Sequence, residues 1–259
     1  MISCQLPGNR KFLLTYFVFK TRVMENLRLL TGFIFIMTTA LTILWFRKAS
    51  QNSSGFRIIL IWILLQGVLG LTGFYQNPHK FPPPILLLLF PPVLIMVALF
   101  ATSGGQRFID RLKPGILTRL HVIRIPVEFV LYLLYLDHQV PVIMTLAGGN
   151  YDIISGLTAP VIYYYGFVKK TFSRGILLGW NVICLGLLLN IVARAVLSSP
   201  STFQKLAFDQ PNTAILHFPY NWLPSVIVPL VLFSHLVSIR SLFRTVPYQK
   251  RTVSKTPIL

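Results

Sequence analysis

His121, Arg124 and Glu128 stand three and four residues apart inside the apolar stretch 117–136. At 100° per residue they fall within one narrow arc of a helix, and Tyr132 and Tyr135 continue the stripe. Glu128 is the one carboxylate well inside an apolar run of this chain. An uncompensated charge at the centre of a membrane helix costs about 2.5–3.5 kcal/mol, so such residues face inward and find partners. Arg124 and Glu128 are spaced to pair along the helix. That spacing predicts either an internal ion pair that locks the helix to its neighbours, or a ligand or proton site built on the pair. Pro126, between them, denies the Val122 carbonyl its helical donor.

Other polar residues extend the seam. Gly175, Gly179, Gly186, Asn190 and Arg194 share one arc of a later apolar run, small at one end and polar at the other. Arg194 is placed to bind an anion or to pair with Asp137, Asp152 or Asp209. His235 lies alone in the last run. It reads as a hydrogen-bonded bundle histidine or as a proton relay, because an imidazole titrates near neutrality. The candidate seam is therefore His121, Arg124, Glu128, Asn190, Arg194 and His235, with Asp137, Asp152 and Asp209 as candidates on the outer face. No CxxC, HExxH, GxSxG, P-loop or GxGxxG pattern occurs, and no catalytic residue is assigned. The outer histidines and aspartates are irregularly spaced over separate loops, so neither a metal site nor a cofactor is expected. Cys4 and Cys184 do not suggest a disulfide framework.

The elements that must position these groups are apolar helices. Of the 259 residues 54% are hydrophobic and 12% charged, with mean hydropathy +0.68; soluble domains carry about 25% charged residues. This composition predicts an all-α, polytopic transmembrane bundle of about seven spans: 27–46, 56–75, 85–102, 117–136, 153–168, 176–197 and 222–243. The count is six if the short fifth is re-entrant. Gly67, Gly70 and Gly73 in the second span allow close approach of a neighbour. Pro91, Pro92, Pro160, Pro224 and Pro229 interrupt others, leaving carbonyls that need partners. Residues 103–113 read as a basic loop, and 137–152 as a loop or shallow re-entrant segment.

The net charge of +18 reflects Lys and Arg in short loops, which is a topology signal and not a nucleic-acid footprint. Fifteen of the 24 basic residues fall on one side and seven on the other. The C-terminus is then cytoplasmic and the N-terminus outside. The run 12–19 is too short to cross a core of about 30 Å. Residues 1–23 read as a non-essential extension, 24–243 as a single bundle domain, and 244–259 as a basic cytoplasmic tail.

The stretches HVIRIPVEFVLY (121–132), GGNYDIISGLTAP (148–160), FDQPN (208–212) and WLPSVIVPLVLFSHLVSIR (222–240) resemble a family of uncharacterised, Bacteroidetes-type bacterial multispanning membrane proteins. The resemblance implies a multi-pass protein of the bacterial inner membrane and supplies no activity. The expected function is binding or transport of a small polar or anionic solute, or of protons, through the polar seam. The alternatives are a membrane enzyme acting on a lipid at the outer face, and a non-catalytic sensor or assembly subunit; a non-enzymatic role is favoured. The expected partners are the lipid bilayer and a second copy or another membrane protein.

Overall fold

The computed structural model describes residues 8–51, 53–77 and 81–244, with backbone alone for 8–20, 53 and 54. Residues 1–7 of the expected extension, and all of the expected tail but Arg244, lie outside it. Every element is helical: α1 (Gly8–Ser50), α2 (Ser53–Leu71), α3 (Pro84–Ala101), α4 (Ser103–Asp110), α5 (Pro114–Leu120), α6 (Arg124–Leu136), α7 (Ile153–Tyr163), α8 (Arg174–Ser198) and α9 (Val228–Phe243). Among the described residues, four helical stretches are long and apolar enough to cross a membrane: Thr21–Ser50, Pro84–Ala101, Arg174–Ser198 and Leu223–Phe243. Two shorter apolar helices, Gly55–Leu71 and Ile153–Val168, accompany them.

The distribution of side chains follows from this composition. Leu29, Phe33, Ile61, Leu64, Ile95, Leu157 and Ile183 face outward. The buried face of α1 carries Thr31, Thr38, Thr39 and Thr42 among Phe35, Ile43, Phe46 and Ala49. Each hydroxyl donates to the carbonyl four residues back, so burial leaves none unpaired. α5 and α6 form the axis of the bundle. Leu117, Leu120, Ile123, Val130, Leu131 and Leu134 are buried against α1 and α9.

Prolines and glycines shape the joints. A 3-10 turn, His121–Ile123, joins α5 to α6 just ahead of Pro126, so the expected single span is two helices with a tightened junction. A π turn, Leu223–Ile227, opens α9. Pro229 has no N–H for the Ser225 carbonyl, and the Trp62 indole donates to it at 2.9 Å. Next to it, Asn221 Nδ2 donates to the Gln66 carbonyl at 2.7 Å and Trp222 Nε1 to the Ile63 carbonyl at 3.1 Å. Gly67 and Gly70 make the room: a Cβ on Gly70 would lie 2.9 Å from the Asn221 amide. The close approach expected at these glycines is thus made by side chains of the α9 approach.

At three places the structure adds to or departs from the sequence reading. Residues 103–110 are a helix, not a loop. Thr102 caps it by accepting from Gly105 N–H, and Ile109 anchors it in the core. The run 12–19 is continuous with the first apolar helix, since no breaker separates them. The arc of small and polar residues on α8, expected to extend the seam, does not turn inward. Gly175, Gly179, Gly186 and Asn190 are exposed, whereas Leu177, Asn181, Cys184, Leu188 and Ile191 face inward. The apolar stripe sets the rotation of α8, and the glycines are what remains on its outer side.

Candidate functional site

Arg124 opens α6 and is 4% exposed. Its Nη1 donates to Asp152 Oδ1 at 2.7 Å, and its Nη2 meets His235 Nε2 at 2.9 Å. A guanidinium only donates, so His235 Nε2 must accept and the imidazole proton must sit on Nδ1. His235 Nδ1 then donates to Asn181 Oδ1 at 3.0 Å, and Asn181 Nδ2 donates to the Leu177 carbonyl at 2.8 Å. The chain Asp152–Arg124–His235–Asn181 ties the start of α7 to α6, α9 and α8. His121 is fully buried and stacks on His235, with ring centroids 4.0 Å apart and planes at 20°. Trp180 lies edge-on to His121 at 5.5 Å. Neither nitrogen of His121 has a partner among the described residues.

The expected Arg124–Glu128 pair does not form. Glu128 accepts instead from the Leu146 N–H and from Asn150 Nδ2, the latter at 2.8 Å. The segment 141–152 coils over α6 and brings the Leu146 N–H within reach of the carboxylate. Arg124 meanwhile has Asp152 within reach. Asn150 holds the coil together: Nδ2 also donates to the Met144 carbonyl, and Oδ1 accepts from Asp152 N–H. Gly148 permits it, since a Cβ there would lie 2.0 Å from the Val142 carbonyl. Gly156 on α7 lets that helix close on α6, with its Cβ position 3.3 Å from the His121 carbonyl.

The other candidates separate from this cluster. Asn190 is exposed, as are Tyr132 and Asp209. Arg194 pairs with no aspartate; its Nη1 donates to the carbonyls of Ile143 at 3.0 Å and Gly148 at 2.8 Å. Asp137 is a clasp: Arg28 grips both its oxygens, tying α1 to the end of α6, and Gln139 donates to it too. A similar clasp at the opposite end of α6's neighbours joins Asp110 to Arg240 and Arg244. His121, Arg124, Glu128, Asp152 and His235 come together.

Asn150 and Asn181 complete the cluster and were not among the sequence candidates. Asn181 had a signal, as the one amide on the inward stripe of α8. Asn150 had none, because its role depends on how the loop coils.

Glu128, Arg124, Asp152 and Asn150 form one wall of a cavity of about 70 Å³. The remaining walls are apolar: Ile85 and Leu89 of α3, Val127 and Leu131 of α6, Leu188 and Ile191 of α8, and Ile227 and Val231 toward α9. This has room for about five waters, or for a small polar head with the start of an apolar chain. Charged and hydrogen-bonding groups on one wall and hydrocarbon on the others suit a molecule of the same two-sided character. Among the described residues no three of His, Cys, Asp or Glu gather as a metal site would require.

A family model described as Domain of unknown function (DUF8737) matches residues 82–243. This match takes in α3 to α9 and so every residue of the cluster. No curated protein and no solved structure matches the chain.

Proposed function

We propose, for a chain that belongs to the DUF8737 family of unknown function, an integral membrane protein that binds a molecule with an apolar chain and a small hydrogen-bonding head. The observation that carries this reading is the cavity between α3, α6, α8 and α9, apolar on all sides but the Arg124–Glu128–Asn150–Asp152 wall. The head meets that wall and the chain lies along the leucines and isoleucines. Binding of this kind is the first step of the solute-handling role that the seam suggested. The rival reading, an enzyme acting on a lipid, needs a nucleophile or activated water beside a carboxylate. The polar groups that share the wall with Glu128 and Asp152 are Arg124 and Asn150, and both are engaged as donors.

The topology proposed with it has seven crossing segments. The four long helices, the two shorter ones and the α5–α6 rod supply them. The rod covers residues 114–136, about 34 Å at 1.5 Å per residue. The excess of Lys and Arg on one side supports a cytoplasmic C-terminus, and the sequence resemblance supports a bacterial inner membrane. Its surroundings are the lipid bilayer, with a second copy or another membrane protein as partner.

The test is thermal unfolding of the full chain in detergent against long-chain alcohols, amides, acids and small metabolites, with Glu128→Gln in parallel. One compound should stabilise the wild type, by about 2.7 kcal/mol at a hundred times its Kd, and lose its effect in a variant that still folds. If nothing shifts the wild type, and Glu128→Gln unfolds early, the wall is structural and the proposal fails.

A further inference from the structure

A second cavity, of about 580 Å³, lies on the other face of the 141–152 segment. Arg194, Asp209 and Tyr135 contribute polar side chains to it; Ile143, Gly148 and Leu206 are among its other walls. Arg194 is held rigidly here. Its Nη1 is fixed by two loop carbonyls, while Nη2 and Nε have no protein partner among the described residues. The Asp209 carboxylate, also without a described partner, lines the same space. Gln210 does not compete for either: its Nε2 is committed to the carbonyls of Tyr135 and Val140, which fixes the loop that carries Asp209. An anchored guanidinium with free donors is shaped for a two-oxygen anion such as a phosphate or carboxylate. A carboxylate in the same cavity discourages a simple anion and suits an ammonium group.

We propose that this cavity binds a small zwitterion, with Arg194 taking its oxyanion and Asp209 its ammonium group. The volume fits a molecule of the size of phosphoethanolamine or an amino acid, within the range of about 300–1,000 Å³ usual for ligand pockets. The same chemistry occurs in a free metabolite and in the headgroup of phosphatidylethanolamine. This site is separate from the apolar-walled cavity and stands or falls without it.

The experiment uses the full chain in nanodiscs of phosphatidylglycerol, titrated calorimetrically with phosphoethanolamine, inorganic phosphate and ethylamine. Phosphoethanolamine should bind at least tenfold more tightly than either half. Asp209→Asn should abolish that preference, and phosphate itself should bind at least as tightly as to the wild type, because the repelling carboxylate is gone. Arg194→Gln should remove phosphoethanolamine and phosphate binding alike. That variant also frees two loop carbonyls and risks misfolding, so Asp209→Asn, on an exposed side chain, decides. Equal binding of phosphoethanolamine and phosphate, or a preference that survives Asp209→Asn, overturns the proposal. Repeating the titration in discs containing phosphatidylethanolamine identifies the source. Loss of the signal through competition supports the site with the lipid headgroup as occupant, and an unchanged signal supports it with a free solute.

Discussion

At the scale of single residues, the two stacked histidines differ in what they would leave behind. His235 is bonded at both nitrogens, whereas His121 is bonded at neither. His121→Phe keeps the ring stack and removes two unpartnered buried nitrogens; its unfolding temperature should stay level or rise. His235→Phe strands a donor of Arg124 and the Asn181 oxygen, at about 1–3 kcal/mol for each group left unpaired. Thermal melts of the two variants side by side would show the difference. The carboxylates divide in the same way. Asp152→Asn takes the counter-charge from a guanidinium that is 4% exposed and should cost about 3–5 kcal/mol. Glu128→Gln keeps one acceptor and turns an amide toward the other donor, so it should cost about 1–3 kcal/mol and still fold. A reversed order in denaturation of the purified variants would mean that Glu128, and not Asp152, carries the structure. Much of this cluster was legible in the sequence, because a charge in an apolar run has to turn inward. Its pairing was not. Spacing along one helix favoured Arg124 with Glu128, and a partner 28 residues away won because the loop folds back.

At the scale of the elements, glycines sort by what stands opposite them. Gly70 faces the Asn221 amide at 2.9 Å from a would-be Cβ. Gly70→Ala should therefore cost about 1–3 kcal/mol by overpacking. Gly186 has nothing within 4 Å. Gly186→Ala should be neutral, or stabilise α8 by up to about 1 kcal/mol through helix propensity. Circular-dichroism melts of both variants check the pair. A Gly186→Ala that melts early would show that the outward face of α8 packs on another chain. The positions of the apolar helices were readable from hydropathy alone, with ends shifted by a few residues. The rotation of α8 was misread because four small or polar residues at helical spacing imitate a packing face. The stripe Leu177–Asn181–Cys184–Leu188–Ile191 is more apolar and wins the interior. Helix α4 was hidden because its short, glycine-rich sequence resembles a loop; its Thr102 cap, the burial of Ile109 and its packing on α3 and α9 make it fold.

At the scale of the whole molecule, the two clasps mark opposite ends. Asp137 is gripped by Arg28 at one, and Asp110 by Arg240 and Arg244 at the other. With the proposed orientation, a cysteine at position 209 should react with a membrane-impermeant maleimide in intact cells. A cysteine at position 111 should react only after the membrane is opened. Both would be made in a background without Cys4 and Cys184, and labelling of 111 from outside would invert the topology. The segment 141–152 lies between two fixed grips. Arg194 holds the carbonyls of Ile143 and Gly148 from one side, and Glu128 holds the Leu146 N–H and Asn150 from the other. The two cavities therefore have a common partition, and its residues alternate between them: Ile143 and Gly148 face one, Met144 and Asn150 the other. An occupant that loosens either grip would act on a segment that both cavities share. If filling one chamber changes the affinity of the other by some factor, the reverse change has the same factor, because linkage between two binding equilibria is reciprocal.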